Sequence, residues 1–442
     1  MQNRIFIGDL HDYVGQNIAL GASVKVRRDQ GKLVFFELQD MTGSVQAVIP
    51  PGSPLLEEAK EIRQMYALKV QGIVNKRPEK NTNPDKENGD IELRIEALEI
   101  LGKAQSLPFD LDSELNLETH LDNLPLTLRT ARSQDIFHMQ ATILNAYRDS
   151  LRGQGFTEFI APSLVGGDAE GGAAAFKVDY FKDTSAFLAT SPQFYKQIMV
   201  GPFERAFTVA KIFRAEKSAT TRHLSEATCL DFEMGYIESE REPMMVLQEV
   251  IKDTVRFAEK KHTDMFGRFN TTEPLLPDEF PILTLAEAHD ILGVPHEPDM
   301  EPEHERNICA WAREQRKSDF VFITRFPTRK RAFYTYEDPT EAPFSRGFDL
   351  LFRGLEINSG AQRIHDYDAL IAKMKERQLD PAKFHFYLMA FKYGMPPHGG
   401  SSTGLERFTA RMLELPNVKE ATSFPRDMTR IDARLSEDPL FE

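Results

Sequence analysis

"FRAEKSATTRHLSEATCLDFEMGY", residues 213–236, is the stretch on which the reading of this chain turns. Two strand-like ends flank a polar segment that holds Arg214, Glu216, Arg222, His223 and Glu226. Folded as a strand–loop–strand hairpin, it would aim those side chains at one ligand. Arginine is the side chain suited to bidentate contact with a phosphate or carboxylate. Taken alone, the segment reads equally well as a solvated hairpin tip whose charges pair with one another.

Two further segments carry chemistry. In "FDLLFRGLEINSGAQRIH", residues 348–365, Asp349 and Glu356 stand seven apart. On one uninterrupted strand they would point to opposite faces. A bulge or turn, made plausible by Gly347, Gly354 and Gly360, would bring them together. Oxygen-only ligands of this kind suit Mg²⁺ on a phosphorylated substrate, and Arg363 follows as a candidate anion clamp. In "PPHGGSSTGLERFTARMLEL", residues 396–415, small residues lead into an amphipathic helix with Leu405, Phe408, Met412 and Leu413 inward. Such glycines permit close backbone approach to a ligand. Arg407, in the first turns, could lie flat against a ring.

The chain around these segments has 442 residues, 41 % of them hydrophobic, which predicts two to four domains with real cores. No stretch approaches the roughly 18 consecutive apolar residues of a membrane span, and the first residues, "MQNRIFIGDLHDYVGQN", lack the apolar core of a signal peptide. Cys229 and Cys309 are the only cysteines. The expectation is a cytoplasmic protein without disulfides and without membrane contact. No G-x-G-x-x-G or P-loop pattern occurs, so a nucleotide would need another device. The net charge of −14 argues against nonspecific DNA binding, yet residues 1–105 carry 14 Lys and Arg against 15 Asp and Glu, leaving a near-neutral module able to touch nucleic acid.

That module reads as five short strands, at 17–27, 32–38, 44–49, 67–75 and 91–101, with a helical patch at 54–65 between the third and fourth. This is the order of an OB-fold barrel, a frequent oligonucleotide binder. Phe35 and Phe36 are adjacent, so one of them must face inward. Residues 106–130, with Pro108 and Pro125, read as a hinge. Residues 131–442 then mix helices and strands without βαβ alternation. Ser133 can cap a helix whose apolar positions are Ile136, Met139, Ile143, Leu144, Tyr147 and Leu151. Gly153 and Gly155 would stop it before a strand at 156–160.

Together these segments form an ordered set. "FRAE" with "RHLSE", and later "GLER" with "FPRD" at 424–427, resemble motifs 2 and 3 of class II aminoacyl-tRNA synthetases, and residues 133–162 resemble motif 1, the dimer-forming element. Within the class, nearly the whole chain is similar to the aspartyl group of subclass IIb in its compact, archaeal-like form. The resemblance implies an α+β fold: an N-terminal OB-fold barrel that binds the anticodon, and a catalytic domain built on an antiparallel sheet flanked by helices. It implies ATP-dependent activation of L-aspartate to aspartyl-adenylate and transfer to the 3′ end of tRNA-Asp, with tRNA-Asn also charged in nondiscriminating relatives. A homodimer with Mg²⁺ as cofactor is part of the same expectation.

Residue by residue, the resemblance assigns Arg214 to the α-phosphate, Glu216 to the adenine amino group, Arg222 and His223 to the ATP set, and Arg407 to the adenine face, with Arg214, His223 and Arg407 as catalytic groups. Asp349 and Glu356 match the magnesium carboxylates, with Ser359 as a further ligand. In "TSPQFYKQ", residues 190–197, Gln193 matches the α-amino contact and Lys196 the contact to the side-chain carboxylate. Arg363 is the second cation and Asp231 orders the pair, while Ser191, Ser359 and Glu170 of "AEGGAAAF" complete the aspartate set. Asparaginyl enzymes lack a lysine matching Lys196, which favours aspartate over the asparaginyl alternative. In the barrel, Phe35 and Gln46 match anticodon-base contacts, and Arg27 and Arg28 sit where phosphates would pass. Two departures fall at the ATP site. Ala227 stands where the family has phenylalanine, and Ser402-Thr403-Gly404 replaces a glycine-aliphatic-glycine run. They keep a divergent RNA-binding paralogue as a second alternative.

Overall fold

Strand after strand of alternating apolar and polar residues, running from Asn17 to Gly102, closes in the computed structural model into a five-stranded barrel. The structure describes residues 4–84, 86–111, 113–167, 174–217 and 220–431. The strands are β1 (Asn17–Asp29), β2 (Val34–Asp40), β3 (Gly43–Ile49), β4 (Ala67–Lys76) and β5 (Ile91–Gly102), in the order β1-β2-β3-β5-β4, and helix Leu56–Glu61 lies between β3 and β4 in the chain. This is the expected OB-fold arrangement. Period-2 alternation drives it, since Val34, Phe36 and Leu38 of β2 and Val45, Ala47 and Ile49 of β3 all point into the core. Phe36 is the inward ring at 1 % exposure, which turns Phe35 to the outer surface.

The chain divides into two units between Ser113 and Glu114. Part of the segment read as a hinge is helical, with turns at Leu117–Asp122, capped by Asn116, and at Leu124–Thr127.

The second unit is built on strands β6 (Thr157–Glu158), β7 (Leu164–Val165), β8 (Lys177–Tyr180), β9 (Thr184–Leu188), β10 (Arg205–Phe213), β11 (Glu226–Gly235), β12 (Ile282–Thr284), β13 (Phe320–Thr324), β14 (Gly347–Phe352), β15 (Leu355–Gln362) and β16 (His398–Gly404). Eight of them form one sheet in the order β12-β13-β14-β15-β16-β11-β10-β6, and β7-β9-β8 form a small second one. The six central strands of the large sheet are antiparallel, as the resemblance implied. Its two edge strands, β12 and β6, pair in parallel, so the sheet as a whole is mixed.

One face of the large sheet is apolar. Leu230 and Phe232 of β11 and Phe348 of β14 join Ile136, Met139, Ile143 and Tyr147 of helix Ala131–Gly153, and Leu247, Val250 and Ile251 of helix Arg241–Lys261, in one core. Phe320 stacks between Phe280 and Phe352 with centroids at 4.7 and 4.2 Å. Burying each such ring contributes about 1.5–3 kcal/mol. The helix at 131 begins earlier than its sequence signal suggested. Thr130 is the cap and accepts from the Ser133 N–H at 3.3 Å, while Ser133 lies inside the first turn. Thr130 keeps an extended backbone, and Ala131 and Arg132 already continue the helix.

β16 starts with a histidine that water does not reach. His398 Nδ1 lies 2.9 Å from the Pro396 carbonyl and Nε2 3.2 Å from the Gln197 side-chain oxygen. Burial pushes its pKa down to about 4. Between pH 6.5 and 4 the unfolded chain therefore binds a proton that the folded chain refuses, so stability falls as pH drops through that window. At pH 5 the loss from this one group should be on the order of 2 kcal/mol. Urea unfolding of the wild type and His398→Gln at pH 7 and pH 5 measures it, and the variant should lose less on acidification.

Candidate active site

The site grows from the hairpin β14–β15. Its two-residue turn, Arg353-Gly354, has φ of 46° and 81°, the left-handed pair that matches the twist of a tight hairpin. Arg353 is anchored outside the turn, with Nε 3.1 Å from the Asp319 carboxylate. Register then places Asp349 opposite Ser359 and Leu351 opposite Glu356, with Ile357 as the extra residue of a bulge. Asp349 and Leu351 share a face of β14, so the bulge turns Glu356 and Ser359 to that same face. The seven-residue spacing is thus resolved by both a turn and a bulge.

Glu356 and Ser359 open onto a cavity of about 420 Å³, while Asp349 lies behind its wall. Its walls include Thr190, Ser191 and Gln193, then Arg214, Glu216, Arg222, His223 and Ala227 from the motif 2 hairpin. Glu356, Ser359 and Arg363 come from β15 and just beyond it, and Ser402, Gly404, Glu406 and Arg407 from β16 and its following helix, Leu405–Met412. The expected hairpin is present, with Phe213 paired to Glu226 across β10 and β11. Backbone bonds hold it to the C-terminal segment, from Ser225 N–H to the Arg426 carbonyl at 2.8 Å and from Val418 N–H to the Thr221 carbonyl at 3.0 Å. The Glu406 carboxylate accepts from the Thr228 N–H at 3.0 Å.

Gly399 and Gly400 of β16 serve sheet packing. A Cβ on Gly400 would sit 2.0 Å from the Phe232 carbonyl oxygen, and one on Gly360 in β15 would meet Phe348 and Ser401. The small-residue run before the motif 3 helix is therefore a central strand packed between β11 and β15, with Ser402 and Gly404 at the cavity wall, rather than a loop.

At one end of the cavity lies a cluster of four buried charges. Lys196 Nζ is 2.9 Å from the Asp231 carboxylate and 3.5 Å from that of Glu233, and it donates to the Ser401 carbonyl at 3.1 Å. Arg363 Nε donates to Glu233 at 2.9 Å and its Nη2 to the Gly400 carbonyl at 3.0 Å. Ser402 donates to Asp231 at 2.6 Å. Burial drives the Glu233 pKa upward, but Arg363 and Lys196 more than offset this and hold it below the usual carboxylate value. Lys196 has no exposed surface, which excludes a solvated helix lysine. Arg363 reaches the cavity wall, while Lys196 and Asp231 form the layer beneath it. Gln193 is almost fully buried, and its amide nitrogen has no partner among the described residues.

At the other end, Arg407 donates to the Glu356 backbone carbonyl at 3.0 Å and stands 3.6 Å from its carboxylate. Burial and the nearby Asp349 charge push Glu356 up to about 7, although 36 % of its side chain stays open to the cavity. Arg222 pairs with Glu305, which also accepts from the Glu356 N–H at 3.1 Å. Arg214 stands 3.9 Å from Glu216, and its Nε is buried without a partner among the described residues. His223 Nδ1 lies 2.6 Å from the Thr220 hydroxyl, and burial, with Arg407 beside it, lowers its pKa.

Among the described residues no group of three His, Cys, Asp or Glu side chains could hold a metal. The donors present, the Asp349 and Glu356 carboxylates and the Ser359 hydroxyl, are all oxygen, and they fit an ion that completes its shell with water and phosphate. Glu170 lies outside the described residues. Three residues beyond the sequence reading complete the site. Glu233 was detectable as the second charged position of alternating "DFE". Glu305 and Arg331 gave no such signal, because their partners come from distant elements.

In the barrel, Arg28, Phe35 and Gln46 line one shallow cavity with Glu37, Arg77 and Lys86. Gln46 donates to Glu92 at 3.0 Å. Arg27 is outside that cavity, held by the Ala59 carbonyl and Asp29.

Removing one member of a buried ion cluster leaves an uncompensated charge, a loss of roughly 3–5 kcal/mol. Glu233→Gln should approach that figure in urea unfolding at pH 7, and it should raise the KM for the amino-acid substrate more than that for ATP.

Residues 116–428 match the family of class II tRNA synthetases (D, K and N), and residues 18–101 match the OB-fold nucleic acid binding domain. The aspartate–tRNA(Asp/Asn) ligase of Thermus thermophilus is 40 % identical, with 97 % of this chain and 99 % of that protein covered. The aspartate–tRNA(Asp) ligase of Thermococcus kodakarensis is 35 % identical over 94 % of this chain and 96 % of its own. Among solved structures, asparaginyl-tRNA synthetase from Pyrococcus horikoshii, complexed with asparaginyl-adenylate, superposes with a TM-score of 0.89 at 30 % identity, covering 98 % of this chain and all of the other. Barrel, mixed sheet, motif geometry and full-length similarity agree: the chain belongs to the class II aminoacyl-tRNA synthetases, in the family of the aspartate–tRNA ligases.

Proposed function

We propose that this chain activates L-aspartate with ATP and transfers it to the 3′ end of tRNA-Asp. The observation that carries the reading is the cavity whose amino-acid end is set by the buried Lys196–Asp231–Glu233–Arg363 cluster and whose other end gathers Arg214, Arg222, Arg331 and Arg407. Of the two cations only Arg363 reaches the cavity wall, so it would meet the anionic side chain directly, with Lys196 adding its charge from the layer beneath. That favours aspartate over asparagine. Gln193 would offer its side-chain oxygen to the α-ammonium group, as the resemblance implies.

The chemistry needs no protein nucleophile. The aspartate α-carboxylate attacks the α-phosphorus in line and pyrophosphate leaves. The ribose 3′-hydroxyl of the terminal adenosine then attacks the activated carbonyl, and AMP leaves. Arg214 stabilises charge on the α-phosphate, Arg222 and His223 hold the outer phosphates, Glu216 reads the adenine amino group, and Arg407 lies on the ring. Asp349, Glu356 and Ser359 would hold Mg²⁺, which when bound supplies charge neutralisation for the departing pyrophosphate. With Ala227 in the slot, the ring's second face is left to Ile212, Leu224 and Val418, which line the same cavity.

In the barrel, Phe35 stacks on a splayed anticodon base and Gln46 hydrogen-bonds to one. Charging of tRNA-Asn as well is a second reading, favoured by the dual specificity in the name of the Thermus relative. A homodimer fits the exposed apolar side chains Ile160, Leu164, Tyr180 and Phe181 that follow the motif 1 helix.

Pyrophosphate exchange into ATP, run with L-aspartate and with L-asparagine, tests the reading. Exchange should occur with aspartate alone, and Arg214→Ala should lower its kcat by about 10²–10³-fold. Exchange with asparagine instead would replace the assignment. Phe35→Ala should leave exchange untouched and raise the KM for tRNA at least about fivefold, the lower end of what one stacked base contributes.

A further inference from the structure

Arg331 reaches the phosphate end of the cavity from a turn outside the sheet, and none of the three motifs contains it. Its side chain is fixed from several sides. The guanidinium lies 3.8 Å from the centroid of the buried Phe326 ring. Nη1 and Nη2 donate to the two oxygens of Asp349 at 2.9 and 2.7 Å, and Nη1 also donates to the Ser359 hydroxyl at 3.1 Å. Gly347 leaves the room this requires, since a Cβ there would stand 3.3 Å from Arg331 Nε.

The guanidinium therefore occupies two of the three oxygen donors that would hold a divalent cation. It covers both oxygens of Asp349, so a cation entering the empty cavity must share that carboxylate with a fixed positive charge. Glu356 is then the one carboxylate of the pair without a bidentate arginine, and Arg407 stands 3.6 Å from it. ATP changes the balance, because its phosphates bring about four negative charges and fresh acceptors for the same guanidinium. We propose that Arg331 is an internal counter-ion that keeps divalent metal off the Asp349–Glu356 site until ATP is bound, so that metal and nucleotide enter together. The proposal rests on the reading of Asp349 and Glu356 as the metal carboxylates.

Mn²⁺ binding, followed by its electron paramagnetic resonance and by water-proton relaxation, tests this without turnover. Without ATP the wild type should hold Mn²⁺ only weakly. Arg331→Met should bind it at least about tenfold more tightly, the size of effect that one adjacent charge exerts on a carboxylate. The gain should vanish in the double variant Arg331→Met/Asp349→Asn. Arg331→Lys keeps the charge while losing the fork, and should stay within about threefold of wild type. A wild type that binds Mn²⁺ tightly without ATP overturns the proposal. So does an Arg331→Met protein that binds no better than wild type, or an Arg331→Lys protein that binds as tightly as Arg331→Met. A different result bears on the parent reading. If ATP without amino acid fails to bring Mn²⁺ to the wild type, or Glu356→Gln leaves that ternary complex unchanged, Asp349 and Glu356 are not the metal site.

Discussion

Four buried charges organise the second unit. An isolated charge at such depth costs several kcal/mol, so Lys196, Asp231, Glu233 and Arg363 are tolerable only together. They come from a helix, from β11 and from the end of β15, and carbonyls of β16 supply the remaining acceptors. The fold must hold all these elements in one register. β11 carries the constraint in its sequence, where Leu230, Phe232 and Met234 alternate with Asp231 and Glu233. A slip of one residue would turn two carboxylates into the aromatic core and two apolar side chains into the site. Hydrophobic burial on one face and ion pairing on the other thus specify the same strand position, and each makes alternatives to the other expensive.

The phosphate end is set by local backbone geometry. The left-handed turn at Arg353-Gly354 fixes where β14 and β15 pair, and the bulge at Ile357 gathers Asp349, Glu356 and Ser359 on one face. The Glu305 carboxylate, on helix Pro302–Arg316, then ties this corner to the motif 2 loop by accepting from the Glu356 N–H while pairing with Arg222. A loop carries Arg214, Arg222 and His223, and the strands β10 and β11 determine where that loop begins and ends.

How legible a feature was in the sequence depended on how local its cause is. The barrel could be read strand by strand because period-2 burial is written into each segment, and Phe36 at 1 % exposure resolves the choice between two adjacent rings. The motif 2 hairpin followed from two apolar runs around a polar one. What depends on distant partners was invisible. Nothing near "RKRAF" marks Arg331 as more than part of a basic run, because Asp349 and Phe326 become its neighbours only through the packing of a turn on the sheet. The glycines of β16 resembled a loop for the same reason. Gly399 and Gly400 allow close strand packing, which is set by Ala361 on β15 and Phe232 on β11. Parallel pairing at the sheet edges likewise has no one-segment signature.

Four arginines of the cavity stand against carboxylates before any substrate arrives. Arg363 rests on Glu233, Arg331 on Asp349, Arg222 on Glu305 and Arg407 beside Glu356. Left unpaired, so many cations in one pocket would repel one another strongly enough to open it. Pairing also changes what substrate binding means energetically. A phosphate or carboxylate entering this pocket exchanges one set of ion pairs for another, so the gain per contact is the difference between two partners and not a full desolvated attraction. Discrimination then rests on geometry. A ligand is accepted when its negative groups match the positions the protein's own carboxylates have already set, and a neutral analogue offers the cations nothing better than the partners they hold.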